Sequence, residues 1–413
     1  MQELAGLDLP QIDLFDPAFS EDPHAVYAKA RQSSWLAKYQ FGYILLDQSS
    51  MKDFLSDGVR VREPYRDIVA AWHAEGTPFE RFTSNQLVAL DGIEHKRIRD
   101  LVAPAFTPRA ANAHRQLMRE TIERAIDEVL PEGYCDFTTV SATYPITVMC
   151  RLIGVSVDDI PMFAKWLEPQ ESAFGQDPAA LPILNDALVH LLAYVERVVG
   201  QRKAPGVHPR DILQSLVDIS NEGDRLNNEE LILLVALLLA AGYDTTKNQL
   251  NLLMKLLVDR PDERRRLADD PARAKPFIEE SLRFLNVIGS LHRVTNVEIT
   301  YRDVSIPANT FFSIPITFHG RDPEVYDSPN DFDADRPPSR HFAFGQGMHI
   351  CLGQFLARAL LEEGLPILVR RLKNPRLAGP IKYRSPMGIW GYTSLPIAFE
   401  PGPVDHGVTG QLA

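Results

Sequence analysis

The sequence predicts a mainly α protein with small β-sheets, and three observations carry that expectation. Apolar residues recur with helical periodicity in five long segments. Strand-like alternation is confined to a few short pieces. The chain of 413 residues is 45% apolar, enough to bury a large core.

The helical segments are 111–129, 184–199, 228–259, 273–284 and 353–371. The strand-like pieces are 39–46 and then 294–301, 311–317 and 394–399, so the sheet is expected mostly in the second half. Proline turns such as "KAPGVHPRD" and "DADRPPSRHF" punctuate the chain. No Ser/Gly linker, low-complexity tract or repeat divides it, so 1–413 is expected to form a single domain. The apolar run 231–242 is shorter than the roughly 18–20 residues of a bilayer span and reads as a buried core helix. The start, "MQELAGLDLPQIDLFDP", lacks the basic end and apolar run of a signal peptide. Cys135, Cys150 and Cys351 are too few and scattered for a disulfide framework or zinc cluster, which points to a reducing cytoplasm. A net charge of −12 without a basic block argues against nucleic-acid binding.

Chemistry concentrates in "FAFGQGMHICLGQFLAR". Gly345 and Gly347 suit a tight loop with positive φ, and Gly353 leaves space beside a flat ligand. The residues after Gly353 are helical in pattern, so Cys351 precedes a helix N-terminus, whose partial positive charge favours a thiolate. A buried structural cysteine is the plain alternative. The surroundings favour the ligand. Phe344, Gly347, Cys351 and Gly353 fill the pattern Phe-x-x-Gly-x-x-x-Cys-x-Gly, and the segment resembles the haem-binding loop of the cytochrome P-450 family. The resemblance implies haem b (iron protoporphyrin IX), with Cys351 as the axial iron ligand and Phe344 and Gly353 against the macrocycle. It also implies the family's single-domain fold, a triangular helical prism with haem between a long central helix and the helix after the cysteine.

The second feature is "LILLVALLLAAGYDTTKNQL", where apolar residues run into Asp244, Thr245 and Thr246. A carboxylate there needs a partner, a water chain or a cleft. Gly242, weak in a helix interior, suggests close approach of a planar group or a loosened helix. "AGYDTT" is similar to the family's central-helix motif. By that resemblance Asp244 relays protons during dioxygen activation, Thr245 holds the water by hydrogen bonding, and Thr246 packs. An acid here also counts against the family's peroxide-driven members.

Glu280 and Arg283 in "EESLRF" form an i, i+3 pair that any helix could carry. The family resemblance joins them with Arg336 in a structural lock. Fixed cations for the haem propionates are sought in His95 and Arg99, spaced i, i+4, in Arg293 and in His349. The resemblance makes all four haem contacts, and bidentate pairing should make Arg99 and Arg293 the stronger ones. His292 receives no role. Gly320 departs from the family's usual asparagine in "HGRDPEVY".

Substrate should be chosen by 68–90, 168–183 with a mobile region around 168–181, the groove at Leu237 and Ala241, and the apolar walls Val287, Ile288, Gly289, Leu291, Ile389 and Trp390. These suit a compact neutral skeleton of terpenoid, norisoprenoid or aromatic type. With only a short stretch after the cysteine, electrons are expected from separate proteins, a ferredoxin and its NAD(P)H-dependent reductase. Lys96, Arg97, Arg109, Arg340 and Arg358 form the expected dock for the ferredoxin. A monooxygenase that hydroxylates or epoxidises is the leading function. An electron-independent isomerase or dehydratase, and a non-catalytic haem sensor, are the alternatives.

Overall fold

Capping residues and prolines fix where the helices begin and end in a computed structural model that describes residues 2–170, 177–222, 225–338, 340–383 and 388–402. The helices that frame the site are α1 (Pro23–Arg31), α2 (Gly92–Val102), α3 (Arg115–Asp127), α4 (Phe137–Ile153), α5 (Leu181–Lys203), α6 (Asn228–Asp259), α7 (Ala274–Phe284) and α8 (Gln354–Arg371). Helix α6 opens with a capping box: the Asn227 side chain accepts from the Glu230 amide, and the Glu230 carboxylate accepts from the Asn227 amide, both at 2.9 Å. It stops at Arg260 because Pro261 follows, after about 48 Å of continuous helix. Helix α4 is capped by Asp136 and ends on Gly154 in the left-handed conformation. The Tyr144 hydroxyl ties it to α8 by donating to Leu360 O at 2.9 Å.

The main sheet has five strands: β1 (Leu36–Tyr39), β2 (Gly42–Leu45), β3 (Val61–Arg62), β4 (Leu291–Thr295) and β5 (Phe311–Ile314). Their order is β1-β2-β5-β4-β3, with β2 and β5 parallel and the other neighbours antiparallel. Three of the five strands come from before residue 63, so the sheet is not confined to the second half. Two three-stranded sheets and a two-stranded pair complete the β structure. One apolar core fills the helical body, and a second lies between the N-terminal segment and the five-stranded sheet.

Several boundaries differ from expectation. Helix 228–259 matches at both ends, whereas 111–129 divides at His114 into Pro108–Ala113 and α3. Segment 39–46 is the turn and second strand of a hairpin, and 294–301 is shared between two sheets. Pro315 ends β5, and Ile316–His319 then turn as a short helix. The piece at 394–399 falls across Tyr392–Ser394 and Pro396–Pro401. The stretch 68–90, expected to help choose substrate, contains a helix at Pro78–Thr83. The helix over 178–203 is long and apolar enough to cross a membrane by length and composition. A search for an uninterrupted apolar run misses it because Asn185, Asp186 and His190 break the run. Its Leu184, Leu188, Leu191 and Val195 are buried, and it packs on α6.

Candidate functional site

The cysteine loop is built by its glycines. Gly345 and Gly347 have φ of +68° and +73°, and a Cβ on Gly347 would lie 2.4 Å from Leu55 O, so that position admits no side chain. The Cys351 amide donates to Phe344 O at 2.8 Å, closing the loop. Gly353 is the N-cap of α8, and a Cβ there would sit 3.9 Å from the Cys351 sulfur. The thiol is accessible within a cleft yet surrounded by protein mass. Burial pushes its pKa up, while the Gly353 amide, Arg99 and Arg358 pull it back, so the expected help from the helix terminus is present but outweighed.

Across the fold, α6 presents one open stripe. Ala241 is exposed and Leu237 and Thr245 are half-buried, at four-residue spacing, while Leu238, Leu239, Tyr243, Asp244 and Thr246 are buried. The Thr245 hydroxyl donates to Ala241 O at 3.1 Å. Gly242 has a different cause from those expected: α6 runs unbroken through it, and a Cβ would meet the Met149 side chain at 2.7 Å, so glycine permits close packing of α4. Asp244 has its partner one turn along, Lys247 Nζ at 3.0 Å. Burial pushes the carboxyl up and Lys247 pulls it back. Against its own burial, the ammonium is held above its ordinary value by Asp244 and Tyr243. Glu168 lies 3.6 Å from Lys247, and the ammonium stands 4.4 Å from the centre of the Tyr243 ring. Sequence reasoning required a partner for Asp244 without finding it. A lysine three residues further along the same apolar helix was the available signal.

Glu280, Arg283 and Arg336 come together behind the loop. Arg283 pairs with Glu280 at 2.6 Å and donates to Pro329 O and Asp331 O, while Arg336 Nε lies 3.4 Å from Glu280. A Cβ on Gly320 would stand 1.9 Å from Arg283 O, which explains glycine at that departure from the family pattern.

The four expected haem contacts are placed differently from one another. An Arg99 Nη donates to Ile350 O at 2.6 Å, fastening α2 to the cysteine loop, and burial pushes its guanidinium down. The His95 and His349 rings meet at 4.5 Å, and His95 falls to about 4 through burial and the neighbouring His349 and Arg99. Among the described residues both ring nitrogens of His349 are buried without a hydrogen-bond partner, with Asp91 3.6 Å away. Arg293 is not a free anchor: it pairs with buried Glu63 at 2.5 Å and donates to His292 O. An accessible thiol beside a side-chain-free glycine, an open stripe on α6, orphaned nitrogens on His349 and a cation at Arg99 together fit a flat, anionic, thiolate-ligated group.

The expected substrate walls also converge. Trp390 N donates to Val287 O at 2.7 Å, Gly289 N to Gly388 O at 3.1 Å, and Ile288 bridges Ile389. Leu291 departs from this group, packing with the sheet core and against the cysteine loop at Gly345. Residues 171–176 of the expected mobile region lie outside the described residues.

The expected dock is largely spent on internal pairs. Arg97 binds Glu94 and Glu230, Lys96 faces Asp100, and Arg358 pairs with Glu279 at 2.6 Å with its guanidinium 4.3 Å from the Phe344 ring centre. Arg109 and Arg340 are exposed.

Fold and site together define a haem-thiolate protein. The cytochrome P-450 family model matches residues 161–375. Luteothin monooxygenase of Streptomyces thioluteus is 32% identical over 96% of this chain and 98% of its own length. Mycinamicin IV hydroxylase/epoxidase of Micromonospora griseorubida is 31% identical over 76% of this chain and 79% of its own. The solved structure of CxnD, a cytochrome P-450 enzyme for C–S bond formation in chuangxinmycin biosynthesis, superposes with a TM-score of 0.85 at 25% identity, covering 96% of this chain and 98% of that one. The chain belongs to the cytochrome P-450 family. It is a haem b monooxygenase acting on a small molecule with dioxygen.

Proposed function

We propose that the protein hydroxylates or epoxidises a compact hydrophobic substrate of terpenoid, norisoprenoid or aromatic type, drawing two electrons from a ferredoxin and its NAD(P)H-dependent reductase. The observation that carries this reading is the open stripe on α6. Leu237 and Ala241 offer an apolar approach that ends at the Thr245 hydroxyl, and the buried Asp244–Lys247 pair lies behind it. Cys351 would hold the haem, with Phe344, His95, Arg99, His349 and Gly353 as its other contacts, and when bound the haem would supply the activation of dioxygen. The chain supplies the rest. Val287, Ile288, Ile389 and Trp390 exclude water and hold an apolar skeleton. Asp244 holds a proton-exchanging carboxyl, with Lys247 setting its charge. Thr245 turns its hydroxyl from Ala241 O toward the stripe to pass that proton on. An isomerase or dehydratase would leave Asp244, Lys247 and Thr245 without a task.

The test has two parts. A strongly red-shifted carbon-monoxide band, lost in Cys351→Ala, together with NADH consumed in step with oxygenated product, supports the reading. Product formed without NADH would return the alternative.

A further inference from the structure

A cavity of about 590 Å³ lies away from the cysteine and the α6 stripe, between the N-terminal segment with α1, the β1–β2 hairpin and the outer side of β4. Strand alternation in β4 turns part of it from the haem side, while Gly289 and Trp390 of the expected substrate walls line it as well. Leu291 and Arg293 turn toward the cysteine loop and Glu63, whereas Ser290 and His292 line this cavity with Ser313, the cross-strand neighbour of His292. The residue that sequence reading left without a role therefore belongs to a second compartment.

Arg321 enters the cavity, and its circumstances are unusual for a guanidinium. One Nη donates to Phe284 O at 3.2 Å, and the fork lies 4.0 Å from the Phe284 ring centre, but Nε is buried without a hydrogen-bond partner. Among the described residues no carboxylate lies within ion-pair distance of it. Asp322, next in sequence, is committed to Arg31 at 2.6 Å. Asp22 attracts Arg321 from the rim, but its carboxylate caps the Ala25 amide at 3.0 Å, and Glu21 beside it is exposed. Arg283 and Arg260 add positive charge from behind, and with burial they push the guanidinium down to about 10. The deep end of the cavity is cationic. Its walls are aromatic, with Phe41, Tyr383 and Trp390 joining Phe284.

We infer that this cavity is a second small-molecule site, sharing Gly289 and Trp390 with the expected substrate walls, which takes an aromatic monocarboxylate with its carboxylate on Arg321 and its ring between the aromatic walls. A single cation matches a single negative charge, and planar two-point pairing to a carboxylate is what a guanidinium offers. The volume suits a molecule of one or two rings.

The test is calorimetric titration of the haem-loaded enzyme with 2-naphthoate and, as a neutral control, 2-naphthalenemethanol, each with and without saturating imidazole on the haem. The expected result is one saturable naphthoate site that imidazole leaves intact. It should weaken about tenfold or more in Arg321→Gln, with the alcohol unaffected by that change. Should Arg321→Gln fold poorly, Thr317→Phe, which narrows the cavity, should abolish naphthoate binding while the carbon-monoxide band persists. Absence of saturable binding, displacement by imidazole, or undiminished binding in the folded variant overturns the inference.

Discussion

Lys247 Nζ lies 3.0 Å from the Asp244 carboxylate, one turn along α6, with both side chains less than a tenth exposed. The pair bears on the charge of the group proposed to deliver protons. Lys247→Met removes the contribution that lowers the Asp244 pKa and leaves burial unopposed, so the carboxyl moves further up. The acid limb of product formation against pH should shift upward by about one unit or more, and Lys247→Arg should restore most of it. An unshifted limb in Lys247→Met would remove Lys247 from the proton path.

Arg293 and Glu63 make a second buried pair, and Arg293→Leu would strand the carboxylate. A loss of about 3–5 kcal/mol in denaturant unfolding is expected, with much of it recovered when Glu63→Gln is added. Additive losses in the double variant would show that the pair is not the source.

Arg99 holds the cysteine loop through Ile350 O, and it is proposed to reach a haem propionate as well. Haem transfer from Arg99→Leu to an excess of apomyoglobin should be about tenfold faster than from the wild type. Equal rates would assign the haem's hold elsewhere.

Glu279 joins α7 to α8 through Arg358 and to the segment before the cysteine loop through His341. Burial pushes its carboxyl up, but hydrogen bonds and charge from His341 and Arg358 prevail and bring it from 4.5 to about 2. The folded value lies below the ordinary one, so this group stabilises above pH 4.5, and the contribution disappears as pH falls toward 2. With its partial exposure discounted, Glu279→Gln should cost about 1–2 kcal/mol at neutral pH. The gap between variant and wild type should narrow in acid, and a gap that persists there would refute the assignment.

Gly320 has no room for a side chain against Arg283 O. Gly320→Ala should lower stability by about 1–3 kcal/mol, read as a lower melting temperature of the haem-loaded enzyme. No change would mean that the end of α7 yields easily.

The cysteine loop and the central helix were legible because their chemistry is written in contiguous residues. Asn227 and Pro261 bracket α6 in sequence as they do in space. What was not legible depends on tertiary partners. Arg358 and Arg97 read as free surface cations until α7 brings Glu279 and α6 brings Glu230. Gly242 read as a close approach of a planar group or a loosened helix until Met149 of α4 occupied the space. Arg293, read as a propionate anchor, has a partner in Glu63 that is far away in the chain and so could not be seen in sequence. Strands β1 and β3 were missed for another reason: runs of four residues or fewer carry too little alternation to stand out from turns.

Strand β4 gives successive residues to different compartments, with Leu291 and Arg293 on the haem side and His292 on the other. Selection can therefore act on one compartment by point substitution without passing through the other, because each inherits every second position. A one-residue deletion in the same strand would exchange the two sets at once. The lineage is thus free to vary these residues and constrained in their number.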